Sequence, residues 1–166
     1  MIAPQDRSAA LPAGQVAFGP EQHALVTESF RQIQPISGLV AELFYARLFA
    51  KNPELQSLFK GEMAAQGAKL MQTLALVVDG LDRLETVLPY ARDLAARHVT
   101  YGVTPAMYAP VGEALIFTLA RSLDEGFTDA HRAAWETAYA ILSEEMVRSA
   151  YAQPTPAHPS LTTAAE

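Results

Sequence analysis

The feature of this sequence that most limits its fold is the spacing of the apolar side chains between residues 19 and 151. Apolar residues recur there every third or fourth position, and no stretch alternates apolar and polar residues as a half-buried strand would. No Asn-Gly dipeptide, the usual mark of a tight hairpin, occurs in the chain. The pattern therefore predicts an all-α domain of six substantial helices plus short pieces.

Prolines and capping residues divide this region. Pro20 suits the first position of a helix, and Pro35 stops the same helix. Ser37, Thr104 and Thr128 are the predicted N-caps, since their side-chain oxygens can accept a free backbone N–H. The first predicted helix is a segment of about 14 residues that begins at Pro20. The others span about residues 37–51, 63–82, 84–100 (with a break near Pro89 as an alternative), 105–123 and 129–150.

The two ends of the chain differ in composition from the region between them. Residues 1–18 and 152–166 are rich in Ala, Pro, Gly, Ser and Thr and show no sustained periodicity. We expect mobile tails there. The chain of 166 residues is long enough for one compact core and too short for two of ordinary size, which predicts a single domain at residues 19–151.

Cysteine content and charge exclude several classes of function. The chain has no cysteine, so disulfides, thiolate metal sites, iron–sulfur clusters and a cysteine nucleophile are ruled out. Its net charge of −6 opposes binding to nucleic acid. No apolar run approaches the roughly 20 residues of a membrane-spanning helix, and the N-terminus lacks the pattern of a signal peptide. We expect a cytoplasmic protein that binds neither nucleic acid nor membrane.

Four histidines are present, few enough for each to be weighed. Three of them are interpreted as surface residues: His23, His131 and His158. His98 comes near the end of the helix at 84–100, where Leu94, four residues earlier, shares its face. Position alone favours a core histidine hydrogen-bonded to a backbone carbonyl or to Tyr108. The alternative is a ligand of haem iron, since a neutral imidazole is the usual one.

A second group of polar and apolar residues shares one face of the helix at 63–82, namely Gln66, Leu70, Thr73 and Leu74. Tyr45 lies in the preceding helix, within LFYARLF. A phenol and an amide in an apolar pocket can hold dioxygen by hydrogen bonds while water is kept out. The alternative is that Tyr45 and Gln66 are ordinary edge residues of a helical core, and spacing alone does not decide between the two.

Six segments of the chain together resemble the bacterial single-domain globins and the globin domain of flavohaemoglobins. They are LFYARLF, NPELQSLF, AAQGAKLMQTL, LAARHVTYGV, MYAPVGEAL and AAWETAYAIL, in the order and spacing of that family. The resemblance covers about residues 20–150. It implies the globin fold, with six to eight helices that cross at about 50° around a haem pocket, and haem b as the cofactor.

The resemblance also implies roles for individual residues. His98 matches the proximal iron ligand, Tyr108 the proximal tyrosine and Tyr45 the distal tyrosine. Gln66 and Leu70 match the distal-helix positions that face the bound gas. Other positions expected to contact the haem are Phe59, Leu70, Leu74, Tyr101 and Val103. The candidate catalytic residues are Tyr45, Gln66 and Tyr108. Lys69 and Arg97 are interpreted as partners of the haem propionates or, alternatively, as solvated surface charges.

Two features depart from flavohaemoglobins. Their last helix carries a glutamate that completes a histidine–tyrosine–glutamate network, and that position, counted from Trp135 and Tyr139, falls at Ala150. No flavin or nicotinamide domain follows the globin part. We therefore expect that any reductase is a separate protein.

The resemblance leaves the function open between an enzyme and a binding protein. One reading is an NO dioxygenase, which converts NO and O₂ to nitrate. The other is a protein that binds O₂ for storage or delivery without turnover, with NO and CO as further ligands. A gas sensor and a cofactor-free helical interaction protein are further alternatives, and the chain is expected to be a monomer or a weak homodimer.

Overall fold

The computed structural model describes residues 18–151, and within that range it contains six α-helices and no strand. The helices are α1 (Pro20–Ile33), α2 (Ser37–Lys51), α3 (Met63–Gly80), α4 (Leu84–Thr100), α5 (Tyr108–Leu123) and α6 (Asp129–Tyr151). Short 3₁₀ segments lie at Gln34–Ile36, Pro53–Leu58, Pro105–Met107 and Asp124–Gly126. The all-α prediction is confirmed. The expected tails lie outside the described residues except for Phe18, which packs against the core.

The helix boundaries follow local signals with two exceptions. Pro20 is the first residue of α1, as predicted, and the side chain of Gln22 accepts a hydrogen bond from the Gly19 N–H at 3.0 Å. Thr128 accepts from the backbone N–H of His131 at 3.4 Å, as an N-cap does. Ser37 is wrong as an N-cap, because the 3₁₀ segment before it runs directly into α2 and makes Ile36 the cap. Thr104 occupies the predicted N-cap position, directly before the 3₁₀ segment Pro105–Met107, and its backbone N–H donates to Met107 Sδ at 3.4 Å.

The alternative of a break at Pro89 is also wrong, since α4 continues through this residue. A proline inside a helix removes one backbone hydrogen bond and costs about 3 kcal/mol. Burial on both sides of Pro89 offsets that cost: Val87, Ala91 and Ala95 are all buried. Tertiary packing therefore outweighs the local preference.

The interior consists of one large apolar cluster and a smaller one. The large cluster draws on all six helices, and its most enclosed apolar members include Val26, Leu48 and Leu119. The small cluster joins α4 to α6 through Ala91, Ala95 and Met146. Leu142 packs against both clusters. The core is thus divided between the helices packed around α2 and α5 and the α4–α6 pair.

A glycine sets the distance between α2 and α3. A Cβ at Gly67 would lie 2.9 Å from the Cβ of Ala41, closer than real Cβ contacts come. The bare glycine backbone therefore lets α3 pass close over α2. This crossing fixes the side chains before and after Gly67, including Gln66 and Leu70, relative to Tyr45 on α2.

Within residues 18–151, no single helix is long and apolar enough to cross a membrane. One pair, Leu84–Thr100 with Pro105–Gly126, meets the length and composition criteria together but is bent by 110°.

Candidate functional site

Three aromatic side chains meet where α2 approaches the 3₁₀ segment at Pro53–Leu58. The ring of Tyr45 stacks on Phe49 with 5.8 Å between centroids and meets Phe59 edge-on at 5.3 Å. Phe49 and Phe59 also meet edge-on at 5.3 Å. Phe59 directly follows the 3₁₀ segment and is half-buried. Two residues that the sequence assigned to one pocket, Tyr45 and Phe59, are therefore in contact.

The hydroxyl group of Tyr45 is directed towards α3. It donates to the backbone carbonyl of Gln66 at 3.4 Å, a long and therefore weak hydrogen bond. Burial raises the pKa of Tyr45 to about 12, so the phenol keeps its proton at neutral pH and acts as a donor. The side-chain nitrogen of Gln66, Nε2, lies next to Gly61: a Cβ atom added to that glycine would be 3.4 Å from it. Tyr45 and Gln66 thus meet through the backbone of Gln66.

Beyond Gln66, the same face of α3 is mainly apolar and incompletely enclosed. Leu70 and Leu74 pack against the large core cluster but remain half-buried. Thr73 is half-buried as well, and Lys69 beside it is exposed. Within residues 18–151, Lys69 takes part in no ion pair.

His98 lies in the last turn of α4 with one ring nitrogen already engaged. Its Nδ1 atom lies 2.8 Å from the backbone carbonyl of Leu94, so Nδ1 is assigned the proton that it donates. Burial and the charge of Arg97 lower the pKa of His98 more than the Leu94 hydrogen bond raises it. The imidazole is therefore neutral at pH 7, and the lone pair of its Nε2 atom meets no hydrogen-bond donor among residues 18–151. Of the two partners considered from the sequence, the structure selects the backbone carbonyl.

Tyr108, the other candidate partner of His98, makes no side-chain hydrogen bond among the described residues. Its hydroxyl is buried and has no partner within residues 18–151, whereas its backbone carbonyl accepts from the Tyr139 hydroxyl. Burial and the nearby Tyr151 raise the pKa of Tyr108, so this phenol also stays neutral. Ala150 packs on the same α4–α6 cluster, and its methyl side chain offers no acceptor.

A tight corner follows His98. Gly102 adopts a φ of 91°, which favours glycine, and the Val103 N–H donates to the carbonyl of His98 at 3.0 Å. Val103 is half-buried, while Tyr101 is 63% exposed with its ring 6.4 Å from that of His98. Arg97 is exposed and, like Lys69, forms no ion pair in the described part of the chain.

The residues on α3 and α4 fit a flat, mostly apolar group that carries a metal. The two helices follow one another closely in sequence, yet α3 packs mainly on α2 and α4 mainly on α6. Leu70 and Leu74 of α3, and Leu94 and His98 of α4, are consequently left half-buried. A porphyrin would cover such apolar side chains, and its iron accepts the lone pair of a neutral imidazole whose other nitrogen is hydrogen-bonded. The residues present therefore fit a haem.

Sequence reasoning missed one feature near this region, a buried carboxylate. Glu145 on α6 is 6% exposed and accepts from Arg92 Nε on α4 at 2.6 Å and from Arg148. Burial alone would raise the pKa of Glu145, but the hydrogen bonds and charges of the two arginines lower it below the usual value. Arg92 and Glu145 are 53 residues apart in sequence, so no local sequence pattern predicts that they pair.

Comparisons with known proteins agree with this architecture. The family model described as Globin matches residues 42–146. The chain is 30% identical over 108 residues to a flavohemoprotein of Oceanobacillus iheyensis, covering 63% of this chain and 27% of that protein. It is 30% identical over 133 residues to a flavohemoprotein of Bordetella parapertussis, covering 78% and 33%. A neuroglobin of Tetraodon nigroviridis is 29% identical over 120 residues, covering 64% and 76%. The chain thus spans a third or less of the two flavohemoproteins.

Proposed function

The chain belongs to the globin family, and we propose that it holds a haem b through His98 and takes up a diatomic gas on the Tyr45 side. Family membership supports the general statement, a haem globin that binds small gases. The assignment of individual residues and of the reaction rests on the geometry of this chain.

The observation that carries the proposal is the state of His98. The Leu94 carbonyl fixes the Nδ1 tautomer at 2.8 Å, and burial keeps the ring neutral. Only a neutral imidazole with a free Nε2 can donate an electron pair to iron, and a hydrogen bond at Nδ1 strengthens that donation. His23 and His131 instead lie beside the hydroxyl groups of nearby threonines.

The residues around Tyr45 provide a donor in an apolar setting. The Tyr45 hydroxyl is neutral, and its present bond to the Gln66 carbonyl is long enough to be exchanged at little cost. Phe59, Leu70 and Leu74 supply apolar contact and exclude water. A proton shared from Tyr45 stabilises negative charge that develops on a gas ligand, and the side-chain amide of Gln66 can add a second donor after a rotation.

The residues proposed to contact the edge of the porphyrin lie near the turn at Gly102 and include two cations. Tyr101 and Val103 flank His98 and offer apolar surface. Lys69 and Arg97 are exposed and have no ion-pair partner in residues 18–151, so both are available to the haem propionates. Exposed pairs of this kind contribute little energy, about 0–1 kcal/mol each, and serve mainly to orient the group.

The proposed activity is NO dioxygenation, NO + O₂ + e⁻ → NO₃⁻, with the electron supplied by a reductase. The haem supplies the redox-active iron for this chemistry. Tyr45 holds its proton at the hydroxyl oxygen and donates a hydrogen bond, His98 donates its electron pair at Nε2, and the apolar side chains keep bulk water away. The relatives named flavohemoprotein support a haem-based function for this chain.

A binding function without turnover is the second candidate, and Tyr108 favours it. The Tyr108 hydroxyl has no partner within residues 18–151, and Ala150 cannot provide one. His98 therefore receives no additional polarisation from this side beyond the Leu94 carbonyl, and less electron density reaches the metal.

Sustained NO consumption separates the two candidates. The haem-loaded protein is supplied with excess O₂, NADH and a generic ferric-haem reductase, and NO is followed with an electrode while the absorption spectrum is recorded. Many turnovers limited by the reductase are expected for a dioxygenase. A single stoichiometric burst that leaves the protein ferric would contradict the proposed activity and support O₂ binding alone.

A further inference from the structure

A groove of about 440 Å³ runs between α2 and α3 on the surface of the molecule. Its floor is buried and consists of Ala41, Tyr45, Gly67 and Met71. Its exposed rim is built mainly from residues with little or no side chain, namely Gly38, Ala46, Ala64 and Ala68. The groove follows from the close crossing at Gly67, because the small residues on either side of that contact leave space that larger side chains would fill.

Tyr45 connects this groove to the candidate haem pocket. One part of its side chain lines the groove, while its ring also meets Phe59 edge-on at 5.3 Å. Phe49 lines the groove too and stacks on Tyr45. The two aromatic rings therefore form the partition between the groove and the Phe59 side. The Tyr45 hydroxyl, held only by the 3.4 Å bond to the Gln66 carbonyl, is the most weakly tethered part of that partition.

We propose that this groove is the route by which an uncharged diatomic gas reaches the Tyr45 side of the haem. The inference rests on the proposed function and adds the path that the ligand takes. O₂, NO and CO are small and only weakly polar, so an apolar floor between two helices concentrates them relative to water. Among the residues of 18–151 that line the groove, Glu42 alone is charged, and it is exposed. The entrance therefore admits neutral ligands in preference to anions.

The test uses two neighbouring alanines of α3. Both alanines are exposed, but Ala64 lines the groove and Ala65 lies outside it. Ala64→Trp fills the groove, and Ala65→Trp adds the same bulk to the next position. CO association is measured by flash photolysis of the haem-loaded proteins. Ala64→Trp is expected to slow CO association severalfold, and Ala65→Trp to leave the association rate unchanged.

A second variant acts in the opposite direction. Met63 lines the groove and is 39% exposed, so Met63→Ala widens it without opening the core. Faster CO association is expected. Equal association rates in the Ala64, Ala65 and Met63 variants would overturn the route. The absence of any CO spectrum in the unaltered protein would instead overturn the proposed function.

Xenon provides a readout that does not depend on the iron. Xenon occupies apolar cavities in pressurised crystals. It is expected against Ala41 and Gly67 in the unaltered protein and in Ala65→Trp, and to be missing from Ala64→Trp. A groove that takes up no xenon in the unaltered protein would overturn the inference even if the haem spectra were normal.

Discussion

Replacing Tyr45 by phenylalanine removes one hydroxyl group and leaves the aromatic contacts in place. The ring remains stacked on Phe49 and edge-on to Phe59. Within residues 18–151, the hydrogen bond lost is the 3.4 Å bond from the Tyr45 hydroxyl to the Gln66 carbonyl. Since bonds of ideal length contribute about 0.5–1.5 kcal/mol, the free energy of unfolding is expected to fall by less than about 1 kcal/mol.

The effect on gas binding is expected to be much larger. The phenol is neutral at working pH because burial raises the pKa of Tyr45 to about 12, so in the proposed site it would donate a hydrogen bond to negative charge on bound oxygen. Hydrogen bonds to charged groups contribute about 1.5–3 kcal/mol. Their loss corresponds to an increase of about 10- to 150-fold in the O₂ dissociation rate, at 1.36 kcal/mol per factor of ten.

The assay is stopped-flow displacement of O₂ by excess CO. Tyr90→Phe is the matched control, because Tyr90 is a half-buried tyrosine on α4 that is not one of the candidate site residues. Its O₂ dissociation rate is expected to equal that of the unaltered protein. If Tyr45→Phe releases O₂ at the unaltered rate while binding haem normally, the phenol does not contact the ligand and the reasoning fails.

Two further predictions concern stability. The pKa of Glu145 is lowered in the folded protein, so the stability that its pairing with Arg92 contributes is present above the unfolded pKa near 4.5 and is lost as the pH falls through the folded pKa. In urea unfolding, Glu145→Gln is therefore expected to lose less stability below pH 4.5 than the unaltered protein does. Parallel curves of stability against pH for the two proteins would contradict this. Gly67→Ala forces a Cβ to within 2.9 Å of Ala41 and is expected to destabilise by about 1–3 kcal/mol, whereas Gly38→Ala meets nothing within 4 Å and should be neutral or stabilising. Equal melting temperatures for the two glycine variants would refute the close-crossing argument.

The sequence predicted most of the helical framework because the relevant signals are local. Pro20 and Thr128 mark helix starts as expected, and the apolar spacing identified core residues such as Leu119. Pro89 and Ser37 misled for a common reason. In each case the neighbouring segment, a buried helix face or a 3₁₀ turn, overrode the preference of the single residue.

The resemblance collects the candidate site residues into one hypothesis, whereas the contacts between them come only from the structure. The resemblance brought Tyr45, Phe59 and His98 into one hypothesis, and the structure joins Tyr45 to Phe59 and leaves His98 Nε2 free. The choice of Leu94 over Tyr108 as partner of His98 depends on side-chain rotation that no spacing encodes.

Long-range pairs were also out of reach of sequence patterns. The Trp135 indole donates to Ser29 at 2.9 Å across 106 residues. The Arg92–Glu145 ion pair, which joins α4 to α6, spans 53 residues. Neither pair can be read from periodicity, since each depends on how whole helices pack.

The most direct test of the central claim is haem binding by His98→Ala compared with His131→Ala. Both variants remove one half-buried imidazole, but only His98 has a fixed tautomer with Nε2 free, while His131 lies beside Thr128 at the start of α6. The Soret spectra of the reduced CO forms are recorded after haem titration. The account predicts that His131→Ala keeps the spectrum and affinity of the unaltered protein, and that His98→Ala loses most haem binding or shows altered iron ligation. An unchanged Soret band and unchanged haem affinity in His98→Ala would contradict it.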